Sequence, residues 1–176
     1  GTFVLVPELV VHTFGNETRA PATYLNFHAP SGGFASYLRK EDADFDNEDP
    51  PADGGRAAEA VVVSGPGDGE RFDRGNRLIT LKGDAPQVSV NEIEFDTDFV
   101  VDPHRHDDEV DSFYVLDGVV EFTLEDGVVR AEPGTWLSAP PGSLHGFRNP
   151  GTGRARILNV HTPDAEFADS VRGFEG

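Results

Sequence analysis

At an offset of 133 residues the sequence matches itself without a gap. "GTFVLVPELVVHTFGN" at 1–16 lies over "GTWLSAPPGSLHGFRN" at 134–149, sharing its Gly, Thr, Pro, His, Phe and Asn positions. The match runs on through "ATYLNFHAP" over "ARILNVHTP" and "GFASYLR" over "EFADSVR". Residues 58–133 have no earlier partner. The chain therefore reads as the C-terminal half of one domain (1–40), a linker (41–57) and a complete domain of the same type (58–176). Duplication followed by loss or truncation of the first half accounts for this order. The linker, "EDADFDNEDPPADGGRA", is acidic, Pro- and Gly-rich and nearly free of apolar residues, so nothing in it offsets the entropy of ordering it.

Within the complete domain, "VVVSG", "RLITLKG", "VSVNEIEF", "FYVLDGVVEFTLEDGVVRA", "TWLSAPPG" and "ARILNVHTP" are short β-rich runs bounded by turns. "EDG" at 125–127 marks a tight hairpin whose Asp-Gly pair can take positive φ angles. Only "GGFASYLRKED" and "DAEFADSVRGF" read as helices. Many short strands at regular spacing predict an all-β antiparallel sandwich or barrel.

The chemistry concentrates in "HRHDDEVD" at 104–111. On a strand, positions two apart share a face, so His104 and His106 project into one space. Asp111 joins them only if the intervening chain behaves as a strand or a short bulge. His145 is delivered from a later strand. Three imidazoles and a carboxylate suit a divalent transition metal such as Fe, Mn, Ni, Cu, Zn or Co. An ion so held keeps positions open for water, dioxygen or a substrate.

These residues fall into two motifs. His104, His106 and Gly118 fit G-x5-H-x-H-x3,4-E-x6-G. Gly134, Pro140, Gly142, His145 and Asn149 fit G-x5-P-x-G-x2-H-x3-N in full. In both respects the chain resembles the cupins. The resemblance covers about 58–176 and, through the repeat, reaches 1–40. It implies a small jelly-roll barrel with the metal on His104, His106, Asp111 and His145. It also implies relatives among dioxygenases acting on small oxygenated or aromatic compounds. Two positions depart from the pattern. Asp98 stands where the opening Gly belongs, and Asp111 stands in the Glu position. Asp is one methylene shorter, which retracts the carboxylate by roughly 1 to 1.5 Å. Three outcomes stay open: the strand shifts, Asp111 binds through water or acts as a base beside the metal, or three histidines hold the ion alone.

Other candidates receive plainer roles. Glu109 is a stand-in for Asp111 with poorer spacing and parity. Asp102, Asp107 and Asp108 read as a solvated rim. Phe113, Val115 and Phe147 read either as the wall of a small-molecule cavity or as ordinary core. His12, which matches His145, reads as packing because its partner histidines have no counterpart in the half-repeat. His28 and His161 recur in both halves, one of which lacks a metal site, and so read as structural.

Composition narrows the field further. Asp and Glu number 32 against 14 Lys and Arg, a formal charge of −18, which argues against nucleic acid and anionic membranes as partners. The absence of Cys excludes thiolate ligands, Cys nucleophiles and disulfides. No triad, phosphate-cradling loop or dinucleotide fingerprint is present. With no membrane-spanning run or visible signal peptide, a cytoplasmic location is expected. Unpaired strands in the half-repeat are a liability. They are expected to add to the barrel edge or to dock on a second chain, making a homodimer.

Overall fold

The computed structural model describes residues 1–41, 52–164 and 166–173. Most of the expected linker lies outside the described residues. The chain separates into two compact units, one of Thr2–Val63 and one built on Ser64–Gly176.

The larger unit carries two antiparallel sheets. The first runs β10 (Trp136–Ala139), β7 (Val110–Asp117), β12 (Ala155–Thr162), β5 (Val88–Phe95), β4 (Arg77–Ala85), β3 (Glu70–Asp73). The second runs β6 (Val100–His104), β11 (His145–Arg148), β8 (Val120–Leu124), β9 (Gly127–Ala131). A helix, α2 (Phe167–Gly173), follows and buries Ala168 and Val171. The all-β antiparallel fold expected from the strand pattern is the one observed. The polar edge strand β3 is an addition, since "ERFD" carries no alternating apolar signal.

The core forms between the sheets, and phenylalanines dominate it. Phe95 and Phe113 come from the six-stranded sheet, Phe122 and Phe147 from the four-stranded one. Their rings meet with centroids 5.1 Å apart (Phe113–Phe122) and 5.5 Å apart (Phe95–Phe147 and Phe113–Phe147). Each buried ring of this kind contributes about 1.5–3 kcal/mol. Val115 packs in the same cluster. Phe113, Val115 and Phe147 therefore form the packed core that was one of their two readings.

The hairpin between β8 and β9 turns where "EDG" placed it, with Leu124 opposite Gly127. Its chemistry differs from expectation in one respect. Gly127 has positive φ (136°), whereas Asp126 does not, because the two-residue loop is Glu125–Asp126 and the glycine opens the next strand.

The smaller unit contains one two-stranded sheet, β1 (Phe3–Leu5) with β2 (Val62–Ser64), and a short helix, α1 (Phe34–Leu38). Residues 1–40 thus contribute one three-residue strand to a sheet rather than a set of strands. In the barrel β11 and β12 are each held by two neighbours, whereas among the described residues no strand pairs with residues 12–15 or 22–29. Among the described residues, no helix is long and apolar enough to cross a membrane.

Asp98, where the first motif normally opens with Gly, has φ of +63°. The position demands the left-handed region, which Asp enters more readily than most residues. Its N–H donates to Asn149 O (3.2 Å), and Asn149 N–H donates to Phe99 O (3.0 Å). Asp98→Gly is expected to hold or raise the melting temperature. Asp98→Val is expected to destabilise by about 1–2 kcal/mol, read by thermal or urea unfolding.

Candidate metal centre

The site sits between the two sheets of the larger unit. His145 opens β11 and lies directly opposite His104, the last residue of β6. His106 follows two residues on. Asp111 enters from β7, on the facing sheet. The chain between the histidines and Asp111 is not a continuous strand but bends at 107–108, and it is this bend that brings Asp111, at the start of β7, back to the histidines.

Each imidazole is oriented through its Nδ1. His104 Nδ1 donates to Asp102 O (2.9 Å) and His145 Nδ1 to Ser143 O (3.0 Å). His106 Nδ1 donates to Glu109 Oε1 (2.8 Å). A carbonyl oxygen only accepts, so His104 and His145 each carry their N–H on Nδ1 and turn Nε2 inward. The consequence is a convergence of acceptors. His104 Nε2 faces His106 Nε2 at 3.2 Å, and Asp111 Oδ2 lies 3.2 Å from His145 Nε2 and 3.7 Å from His106 Nε2. One ligand atom from each of His104, His106, Asp111 and His145 falls within 4.8 Å of all the others. With neutral imidazoles no donor stands among these four, so the cluster calls for a proton, a water or a cation from outside it. A single transition-metal ion satisfies all four at once, and the donor set fits it.

Asp111 reaches this cluster despite its missing methylene. Its Oδ1 accepts from Asn159 Nδ2 at 2.5 Å, which turns Oδ2 toward the histidines. Asn159 Oδ1 is bonded to His161 Nε2 (2.9 Å), and His161 Nδ1 faces Glu109 Oε1 (3.1 Å). The His161 ring stacks on Phe167 with centroids 3.9 Å apart. Glu109, Asn159 and His161 are all buried. Together they link the outer edge of His106 to the back of Asp111. Glu109 is thus no stand-in for Asp111. It holds His106 from behind, and the parity argument misjudged it because the chain bends at 107–108. Asn159 carried a sequence signal in the repeat but none for this role. His161 keeps its structural reading and gains a place in the network. Asp102, Asp107 and Asp108 are exposed, as a rim would be.

The two motifs are also clamped to each other. Gly142 N–H donates to His106 O (2.7 Å), while Arg105 Nη1 donates to Gly142 O and Nη2 to Glu125 (3.1 Å). Access is one-sided: His145 and Asp111 are buried, whereas His104 and His106 are half-exposed. Phe113 closes the inner side, its ring centroid 6.0 Å from that of His145.

Residues 92–161 match the family model of the cupin domain. The barrel has the cupin fold. Solved structures agree on the fold. KdgF from Halomonas sp. superposes with a TM-score of 0.50 at 23% identity, covering 53% of this chain and 87% of its own. An RmlC-like cupin from Shewanella frigidimarina NCIMB 400 gives 0.51 at 20% identity, covering 56% and 86%. A search of curated protein sequences returned no significant match.

Electrostatics in this cupin sets protons against a metal. Burial lowers the His106 pKa, and the other two histidines push the same way against Glu109 and Asp111. At His145 burial also works downward, but the hydrogen bonds to Asp111 and Ser143 O, with the charges of Asp111 and Glu109, outweigh it and the net direction is up. An ion held at His145 would displace the His145 proton. Metal affinity is therefore expected to fall as pH drops, beginning above the ordinary imidazole value of 6.5. The slope is about tenfold per pH unit per proton displaced. Chelator competition between pH 8 and 5 reads it, and a flat profile would contradict it.

Gly146 has a role the motifs do not mark. A Cβ there would lie 2.7 Å from Val101 O and 2.8 Å from Pro103 N. Gly146→Ala is expected to force β6 off β11 and separate His104 from His145. A stability loss of about 1–3 kcal/mol, with weakened metal binding, should appear in denaturation and competition titrations.

Proposed function

We propose that this barrel is a metal-binding cupin, with one divalent transition-metal ion held by Nε2 of His104, His106 and His145 and by Oδ2 of Asp111. The observation that carries it is the meeting of four acceptor atoms within 4.8 Å, with three imidazoles held from behind by backbone carbonyls or a buried carboxylate. A bound ion of this class supplies Lewis-acid and, for redox-active metals, oxygen chemistry. The protein's own part is to fix the donors, keep the inner side dry with Phe113 and leave the His104–His106 side open. A small oxygenated compound approaching from that side would meet the ion before any other polar group of the buried site. The activity proposed on this footing is a dioxygenase acting on a small oxygenated or aromatic compound. In that scheme the Asp111 carboxylate is the acceptor nearest to a substrate proton. The one-sided access favours a reactive site over a closed structural one. The second reading, a module that holds metal or ligand without turnover, shares every ligand and differs only in the absence of oxygen consumption.

Elemental analysis is expected to give one transition-metal ion per chain. His106→Ala and His145→Ala should abolish tight binding, and His12→Ala should leave it unchanged. Asp111→Asn should weaken it by about 10- to 100-fold. Binding unaffected by His145→Ala would overturn the assignment. With the metal-loaded protein, oxygen uptake in the presence of a flavonol-type compound, lost in Asp111→Asn, supports the dioxygenase. Metal binding with no uptake leaves the module.

A further inference from the structure

A helix as short as α2 does not hold itself together in water, so its place is set by the barrel it docks on. Asp164 Oδ1 accepts from Phe167 N–H (3.1 Å) where the helix starts. Ala168 and Val171 are buried beneath it. Near its far end Arg74 donates to Val171 O (2.9 Å), and Arg172 donates to Glu70 (3.0 Å) and Asp84 (2.7 Å). This docking lays the Phe167 ring flat on the His161 ring, with centroids 3.9 Å apart and the planes 18° from parallel.

His161 stands at a branch point. On one side, Asn159 Nδ2 uses both its hydrogens, on Asp111 Oδ1 (2.5 Å) and Ser112 O (3.2 Å). Asn159 therefore turns Oδ1 to His161 Nε2 (2.9 Å), and that nitrogen carries the N–H. On the other side, His161 Nδ1 faces Glu109 Oε1 (3.1 Å), the same oxygen that accepts from His106 Nδ1 (2.8 Å). Glu109 Oε2 has no hydrogen-bond partner among the described residues. The direction of this buried carboxylate therefore follows the two imidazoles. The His161 ring also meets the His106 ring edge-on, with centroids 5.8 Å apart and the planes at 88°. Two routes thus leave one ring, one ending on Asp111 and the other on His106. Hydrogen bonds at the rim of that ring leave its tilt open, and a flat surface against its face closes it.

We infer that Phe167 is a positioning residue for the metal centre. It sets the tilt of His161, and through Asn159 and Glu109 it sets the aim of Asp111 and His106 together. His104 lies outside this control, because a backbone carbonyl, Asp102 O, aims its ring (2.9 Å). The effect on affinity rests on the metal-binding reading above, whereas the effect on His106 rests on the hydrogen bonds alone.

The test uses the full chain, first free of metal. Long-range proton–nitrogen NMR of the imidazoles, assigned by single histidine replacements, reads the bonding of each ring nitrogen. Phe167→Ala is expected to shift or broaden the Nδ1 signals of His161 and His106 and to leave that of His104 in place. Cobalt(II) is then titrated against a chelator, and Phe167→Ala is expected to bind it about 10-fold more weakly. Phe167→Tyr, which keeps a flat face, is expected to restore both readouts. A His106 signal that does not move in Phe167→Ala overturns the inference. So does a His104 signal that moves as far as that of His106, which marks general loosening, and so does an unchanged affinity for cobalt. If the unvaried chain binds no cobalt, the metal-binding reading falls and the imidazole signals alone decide this inference. Should Phe167→Ala not fold, Phe167→Leu, which keeps apolar cover without a plane, is judged by the same signals.

Discussion

Four acceptor atoms that repel one another in the middle of a folded protein are the constraint from which much of the rest follows. Bringing three lone-pair nitrogens and a carboxylate oxygen within 4.8 Å costs free energy unless a positive charge sits among them. The fold holds them there from two sides. The four-stranded sheet brings His104 and His145 face to face across one register step, and the six-stranded sheet presents Asp111 opposite. The phenylalanine core between the sheets fixes the gap into which all four project.

The chain's acidity belongs to the same picture. Arg148 with Glu121, Arg154 with Glu94 and Asp96, and Arg172 with Glu70 and Asp84 tie strands together at the surface. Pairs as exposed as these contribute little to stability. With 32 acidic against 14 basic residues, the net charge stays strongly negative. The resulting negative potential concentrates cations around the molecule. Asp102, Asp107 and Asp108 extend it to the open side of the site.

Most of the site was legible because its information is local. His104 and His106 stand two apart at the end of β6, and the spacing from Gly134 to Asn149 spans two short strands, β10 and β11, with the turn between them. Asp111 followed from the spacing of the motif and not from alternation with the histidines, since β7 begins only at Val110. Glu109 did not, because alternation has no meaning across the bend at 107–108. The bond from Asn159 to Asp111 spans 48 residues and depends on the register of β12 against β7, which no single strand encodes. The fit of Gly146 against Pro103 is hidden for the same reason. Asp98 looked like a motif defect and is an alternative answer to one backbone demand, a positive φ. The half-repeat was recognisable as sequence, yet its strands need neighbours that the sequence pattern cannot supply.

The bonds that orient the four candidate ligands divide them into two kinds. His104 and His145 are each aimed by a carbonyl two residues earlier, so their aim is set by a few residues of backbone and survives as long as their own sheet does. Asp111 is aimed by a side chain from a neighbouring strand, and His106 by a carboxylate that also leans on that strand's His161. If the six-stranded sheet loosens, the first pair stays in place while the second loses its bearing. Grip on an ion would then decay in stages, from four donors to a two-histidine foothold.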